Sequence, residues 1–208
     1  MEIRYSVLQQ SDFAELAFVL GDSFSRGEPM AIAVGMTASE IQPIVACFAS
    51  KAVAEQVTII ARTDAGKLVG ALLAQDFSTP PPAGPEKTTH LFQPIGALLD
   101  RLDEEYRHGK AIEPGQYLHL FMLGVLPEWA GQGIGLQLVA TTLKNGYKRG
   151  YRVAVTEATG RGSQHIFRSL GFRERIARKY EDYQFEGKAV FRSIDGHEAT
   201  LLMDKELA

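Results

Sequence analysis

Apolar positions change period several times along the chain, and each change marks a new element. Ile3 to Leu8 alternates as a strand does. From Phe13 the spacing turns helical through Leu16, Ala17, Leu20 and Phe24, with Ser11 placed to cap the start. Ser25-Arg26-Gly27-Glu28-Pro29 reads as a short connector. Ser39 and Gln42 have capping-box spacing, which puts Pro43 near the start of a helix that buries Ile41, Ile44, Val45 and Phe48. Val57 to Arg62 and Lys67 to Leu73 predict a hairpin around Thr63-Asp64-Ala65-Gly66. The proline-rich stretch Ser78 to Pro85 predicts an irregular surface loop. A helical stripe follows at Ile95, Leu98, Leu99, Leu102 and Tyr106.

Leu118 to Val125 is almost continuously apolar, the pattern of a central strand covered on both faces. A helix with Leu136, Val139, Leu143 and Tyr147 on one face comes next, then a strand from Tyr151 to Glu157. A short helix from about Ser163 to Leu170 stops at Gly171, and two more strands fill Phe172 to Tyr183 and Glu198 to Asp204. The result is a mixed α/β sheet with helices on both faces. Neither flank of the proline-rich loop is long enough for its own core, so residues 1–208 are read as a single domain.

Composition narrows the function classes. With 45% hydrophobic and 23% charged residues, 208 residues can form a core without disulfides or a structural metal. Cys47 stands alone and the histidines show no metal-ligand spacing, so no metal is expected and a reducing, cytoplasmic setting is the natural one. A net charge of −3 argues against a nucleic-acid binder held by a broad basic field. The charged N-terminus is not signal-like, and the apolar run from Leu120 to Leu126 is too short to cross a bilayer, so no membrane partner is expected.

The densest chemical signal is Val125-Leu126-Pro127-Glu128-Trp129-Ala130-Gly131-Gln132-Gly133-Ile134-Gly135-Leu136. Glycines at a helix start let the backbone approach a ligand, and the free N–H groups and dipole of the first turn favour an anion such as a pyrophosphate. A strand, Val-x-Pro and then Gly-x-Gly-x-Gly opening a helix resembles the acetyl-CoA loop of the GNAT N-acetyltransferases. Ser163-Gln164-His165-Ile166-Phe167-Arg168-Ser169-Leu170-Gly171-Phe172 resembles the short helix and Gly-Phe turn that close their cofactor site. The resemblance implies a mostly antiparallel sheet of about seven strands and direct transfer from acetyl-CoA to a primary amine. It also implies a cofactor site at Leu123, Gly124, Val125, Gly131, Gln132, Gly133, Ile134, Gly135, Leu136, Ser163 and Phe167, and leaves room for a homodimer. Phe24 to Gly35, with Glu28-Pro29, is similar to a segment of the aralkylamine and dopamine acetyltransferases. That narrower likeness implies Glu28 as the carboxylate that accepts the amine proton, with Ser163 and Thr159 at the positions of two serines.

Two positions depart from the pattern. Ala130 stands where the loop usually begins with Arg or Gln. Phe167 stands where many members carry a tyrosine that protonates the departing thiolate, and Tyr180 and Tyr183 are the substitutes to consider, beside a packing role. Each candidate also has a plainer reading: Glu28 as the cap of a helix starting at Pro29, Thr159 and Ser163 as capping residues, His119 and His165 (possible bases or thiolate donors) as structural or exposed, and Lys144, Lys148 and Arg149 (possible partners of the CoA ribose phosphate) as dipole partners late in a helix. Two rival functions remain: a CoA-binding domain without chemistry, and a dinucleotide site using the glycines and Glu157. The latter fits poorly, because the spacing is not G-x-G-x-x-G and the glycines lie several residues beyond the strand.

Overall fold

A computed structural model describes residues 2–80, 84, 89–192, 194 and 196–208. Seven strands form one sheet: β1 (Ile3–Val7), β2 (Ile59–Thr63), β3 (Leu68–Asp76), β4 (Tyr117–Val125), β5 (Val153–Ala158), β6 (Arg173–Lys179) and β7 (Ala199–Glu206). Their order is β1-β2-β3-β4-β5-β7-β6, and β4 with β5 is the parallel pair in an otherwise antiparallel sheet. The helices are α1 (Phe13–Gly27), α2 (Pro29–Val34), α3 (Ala38–Glu55), α4 (Gln93–Arg107), α5 (Ile134–Lys148) and α6 (Arg161–Ser169).

Helices α1, α2 and α3, with the first turns of α4, cover one face through Leu16, Leu20, Met30, Ile44, Val45, Ile95 and Leu98. Helices α5 and α6 cover the other face through Ile134, Leu138, Val139, Leu143 and Phe167. Farther along α4, Leu102 and Tyr106 join Val155 and Leu202 in a smaller cluster. The strand buried at all nine positions is β3. β4, the expected double-covered strand, instead alternates buried with half-buried residues along its whole length.

Several helix ends differ from the sequence expectation. Ser11 is exposed and caps nothing; the chain enters α1 through a turn at Gln10–Asp12, where the Asp12 carboxylate accepts the Gln9 N–H at 2.8 Å. Ser25 to Gly27 are the last residues of α1 rather than a connector. The capping box of α3 is Thr37 with Glu40, two residues before the predicted pair, so Pro43 lies inside the helix. On α5 the buried stripe is Leu138, Val139, Thr142 and Leu143, which leaves Leu136 and Tyr147 exposed. Tyr180 and Tyr183 lie beyond the end of β6. Of the predicted proline-rich loop, residues 81–83 and 85 lie outside the described residues.

Candidate functional site

β4 and β5 run together only at their first residues. Tyr117 to Leu120 pair with Val153 to Thr156, and beyond that the strands separate. Phe121 to Val125 still pair with β3 on one side, except at Phe121 itself: Leu73 pairs with Met122 and Ala74 with Leu120, so Phe121 is a bulge residue. A bulge bends its strand and re-aims the side chains that follow. Here it ends the pairing with β5 and leaves the Phe121–Val125 edge free to hydrogen-bond an extended ligand.

That edge leads into the glycine loop. Gly131 and Gly133 have φ of +75° and +79°, a region that side chains other than glycine enter only with strain. The two left-handed residues turn the chain into α5, whose first residue is Ile134. Gln137 N–H returns to Gly133 O at 3.0 Å, whereas the amides from Gly131 to Leu136 have no acceptor among the described residues. Unpaired amides at the start of a 15-residue helix suit an anion through both hydrogen bonding and the dipole.

On the opposite face of the sheet, Glu28 caps α2, its Oε2 accepting the Ala31 N–H at 2.5 Å. Its Oε1 is buried with no partner. Burial pushes this carboxyl above the usual carboxylate range, although the Ala31 N–H and then the Thr159 hydroxyl pull it down. The Tyr180 hydroxyl donates to Thr159 O at 2.6 Å, and burial, followed by the Glu28 charge, raises its pKa. A surface cavity of about 340 Å³ lies beside α2, lined by Ala33, Val34, Leu91, Pro94, Phe185 and Val190, with His90, Glu186 and Lys188 as its charged or titratable members.

One further pair stands where β4 and β5 part. His119 Nε2 lies 2.7 Å from Glu157 Oε2, and the second Glu157 oxygen is buried without a partner. Thirty-eight residues separate the two in sequence. Only the parallel β4–β5 register shows that they meet.

The profile of the Acetyltransferase (GNAT) family matches residues 39–172, more than half of the chain. The chain belongs to the GNAT acetyltransferase family. Solved structures share the fold over nearly its whole length. Arylalkylamine N-acetyltransferase 2 from Aedes aegypti is 21% identical with a TM-score of 0.80, covering 100% of each chain. The C-terminal condensation domain of Ebony, solved with beta-alanyl-dopamine, is 14% identical with a TM-score of 0.89 over 99% of each chain. Polyamine N-acetyltransferase from Drosophila melanogaster is 19% identical with a TM-score of 0.74, covering 99% of this chain and 100% of that one. No curated protein sequence matches the chain significantly.

Within this GNAT chain the predicted residues separate into several places. Leu123, Gly124 and Val125 lie on the free edge of β4, and Gly131, Gln132, Gly133, Ile134, Gly135 and Leu136 form the loop and first turn of α5. Glu28 and Thr159 come together on the other face. Thr159 does not cap α6; the capping position is Gly160. Ser163 Oγ donates to Gly160 O at 2.9 Å and accepts from Gly160 N at 3.3 Å, tying down the first turn of α6. Phe167 is 2% exposed and packs edge-on against Phe172 in the core under α5. Tyr183 donates to Pro94 O at 3.0 Å and stacks on Phe191, a packing role. His165 is exposed. Lys144, Lys148 and Arg149 lie towards the far end of α5 from the glycine amides, with Arg149 held by Gln56. Among the described residues no helix is long and apolar enough to cross a membrane.

Proposed function

We propose that this GNAT domain, residues 1–208, transfers an acyl group from a CoA thioester to a primary amine, with acetyl as the acyl group that the family name implies. The observation that carries the reading is the continuity between the unpaired amides of Gly131–Leu136 and the free β4 edge at Phe121–Val125. The amides fit the pyrophosphate of CoA, and the edge fits the amide-bearing arm that follows it. The thioester supplies an activated carbonyl, and a β4 N–H beside it acts as an oxyanion-hole donor.

Glu28 is the base. An alkylamine with a pKa near 10.4 is almost wholly protonated at pH 7, with roughly one molecule in a thousand free. A carboxylate whose pKa is raised by burial, and which keeps one unpartnered oxygen, is better suited to take that proton than an exposed one. The cavity beside α2, lined by the far end of the helix that Glu28 caps, is the proposed approach for the acceptor. The arylalkylamine and polyamine enzymes of this fold act on amines, and the Ebony domain holds an amide of an aromatic amine. Phe167 cannot protonate the departing thiolate, and Tyr180, already donating to Thr159 O, stands next to Glu28. Ser163, on the α6 side, is the proposed donor, exchanging its bond to Gly160 O for one to the thiolate.

A thiol-release assay with acetyl-CoA and a chemically broad amine panel tests the reading. Amine-dependent release is expected. Binding of CoA without release for any amine would favour the rival, a CoA-binding domain without chemistry.

A further inference from the structure

The free edge of β4 has a direction. Val125 leads to the glycine amides, and Phe121 stands next to the junction where β4 meets β5. A thioester arm anchored by its phosphates and laid along this edge carries its acyl group toward the junction. A terminal methyl would need only an apolar stop there. The junction holds a carboxylate instead.

Glu157 is the first residue of β5 beyond its last partner on β4. Its side chain is 6% exposed, with Oε2 against His119 and Oε1 buried and unpartnered. The Asp103 carboxyl, which feels both His119 and Glu157, holds the Arg107 guanidinium at 2.9 Å, and Arg107 also donates to the Phe77 carbonyl. Thr200 shares the face, being two residues from Leu202, which pairs with Glu157; its buried hydroxyl is also unpartnered. Leaving such groups unpaired costs free energy, which a ligand donor recovers on binding. Glu28 already serves the acceptor amine, so the donor for Glu157 must come with the acyl group.

We infer that, beyond acetyl, the site takes and favours a short aminoacyl chain of the β-alanyl kind, its terminal ammonium held by Glu157 Oε1. The inference rests on the acyltransferase reading above. The chemistry keeps its balance: the acceptor nitrogen bonds to the carbonyl carbon, the carbon–sulfur bond breaks, Glu28 takes the amine proton and the thiolate leaves to be protonated. The acyl ammonium takes no part in the bond changes.

Two inert thioethers of equal length, S-(3-aminopropyl)-CoA and S-butyl-CoA, separate this idea from general CoA binding. By calorimetry the aminopropyl compound should bind at least about tenfold more tightly, the scale of a charge-assisted hydrogen bond. Glu157→Gln should bring the two affinities to within about twofold while CoA itself binds as before. The kcat/KM ratio for β-alanyl-CoA over butyryl-CoA should follow the same pattern. Equal affinities in the parent protein, or tighter binding of the butyl compound, overturn the inference even if the variant does not fold. An unchanged ratio in a folded Glu157→Gln overturns it as well. If CoA and both thioethers all fail to bind, the acyltransferase reading itself has failed.

Discussion

At Glu28 one carboxylate does two things that pull in opposite directions. Its buried, unpartnered oxygen suits a base, and the same burial makes the ionised form costly to the fold. Because the folded pKa lies above the ordinary 4.5, the native state binds the proton more tightly than the unfolded chain does. Stability is therefore greatest below about the unfolded value and falls as pH rises through the folded one. Glu28→Gln keeps a cap acceptor for Ala31 and removes the charge. The variant should melt at a higher temperature than the parent at pH 7, with the gap closing as pH falls toward 4.5. It should also lose about a hundredfold or more of its activity at pH 7, the usual contribution of a general base, and recover part of it at high pH as free amine accumulates. Parent-like activity across the whole range would leave Glu28 as a helix cap only. Ser163 makes a smaller, separable claim: Ser163→Ala should cost about 1 kcal/mol from the lost bonds to Gly160 and slow turnover without weakening CoA binding.

Between elements, glycines distinguish binding from packing. A Cβ on Gly133 would meet no atom within 4 Å, so Gly133→Val is strained only by its backbone angle of +79°. The variant should stay folded, melting a few degrees lower, and lose the rise in Tm that CoA gives the parent. Gly124 is the opposite case, for a Cβ there would lie 2.8 Å from Leu20 Cδ2 and 2.9 Å from Ser23 Oγ. Gly124→Val should unfold the domain by forcing α1 off β4. Much of this level was readable from sequence: the α4 stripe, the hairpin, the loop and Glu28 as a cap all follow from local spacing. The errors also have local causes. Thr37 and Glu40 form the same capping-box pattern two residues earlier than Ser39 and Gln42, and spacing alone cannot choose between neighbouring frames. Leu136 is exposed although Ile134, in the same first turn of α5, is buried, because the buried stripe through Ile134, Leu138, Val139 and Thr142 is turned away from it, a rotation that one-face spacing did not fix. The Phe121 bulge and the His119–Glu157 contact depend on strand register, which no single segment encodes.

For the molecule as a whole, the sheet is a four-stranded plate, β1 to β4, joined to a three-stranded plate, β5, β7 and β6. Their seam is four residue pairs long, from Tyr117 with Val153 to Leu120 with Thr156. So short a seam should act as a hinge line, with small twists of one plate against the other changing the width of the gap beyond it. A ligand that bonds β4 while its far end reaches Glu157 on β5 is a strut across that gap. Its stiffening effect should then travel to places it never touches. Hydrogen exchange should slow on CoA binding at Phe121–Val125 and also across β7 and β6, with the largest added protection when an aminoacyl thioether completes the strut. Protection confined to the glycine loop would mean that the plates are already rigid, and that the gap is a fixed slot with no working hinge.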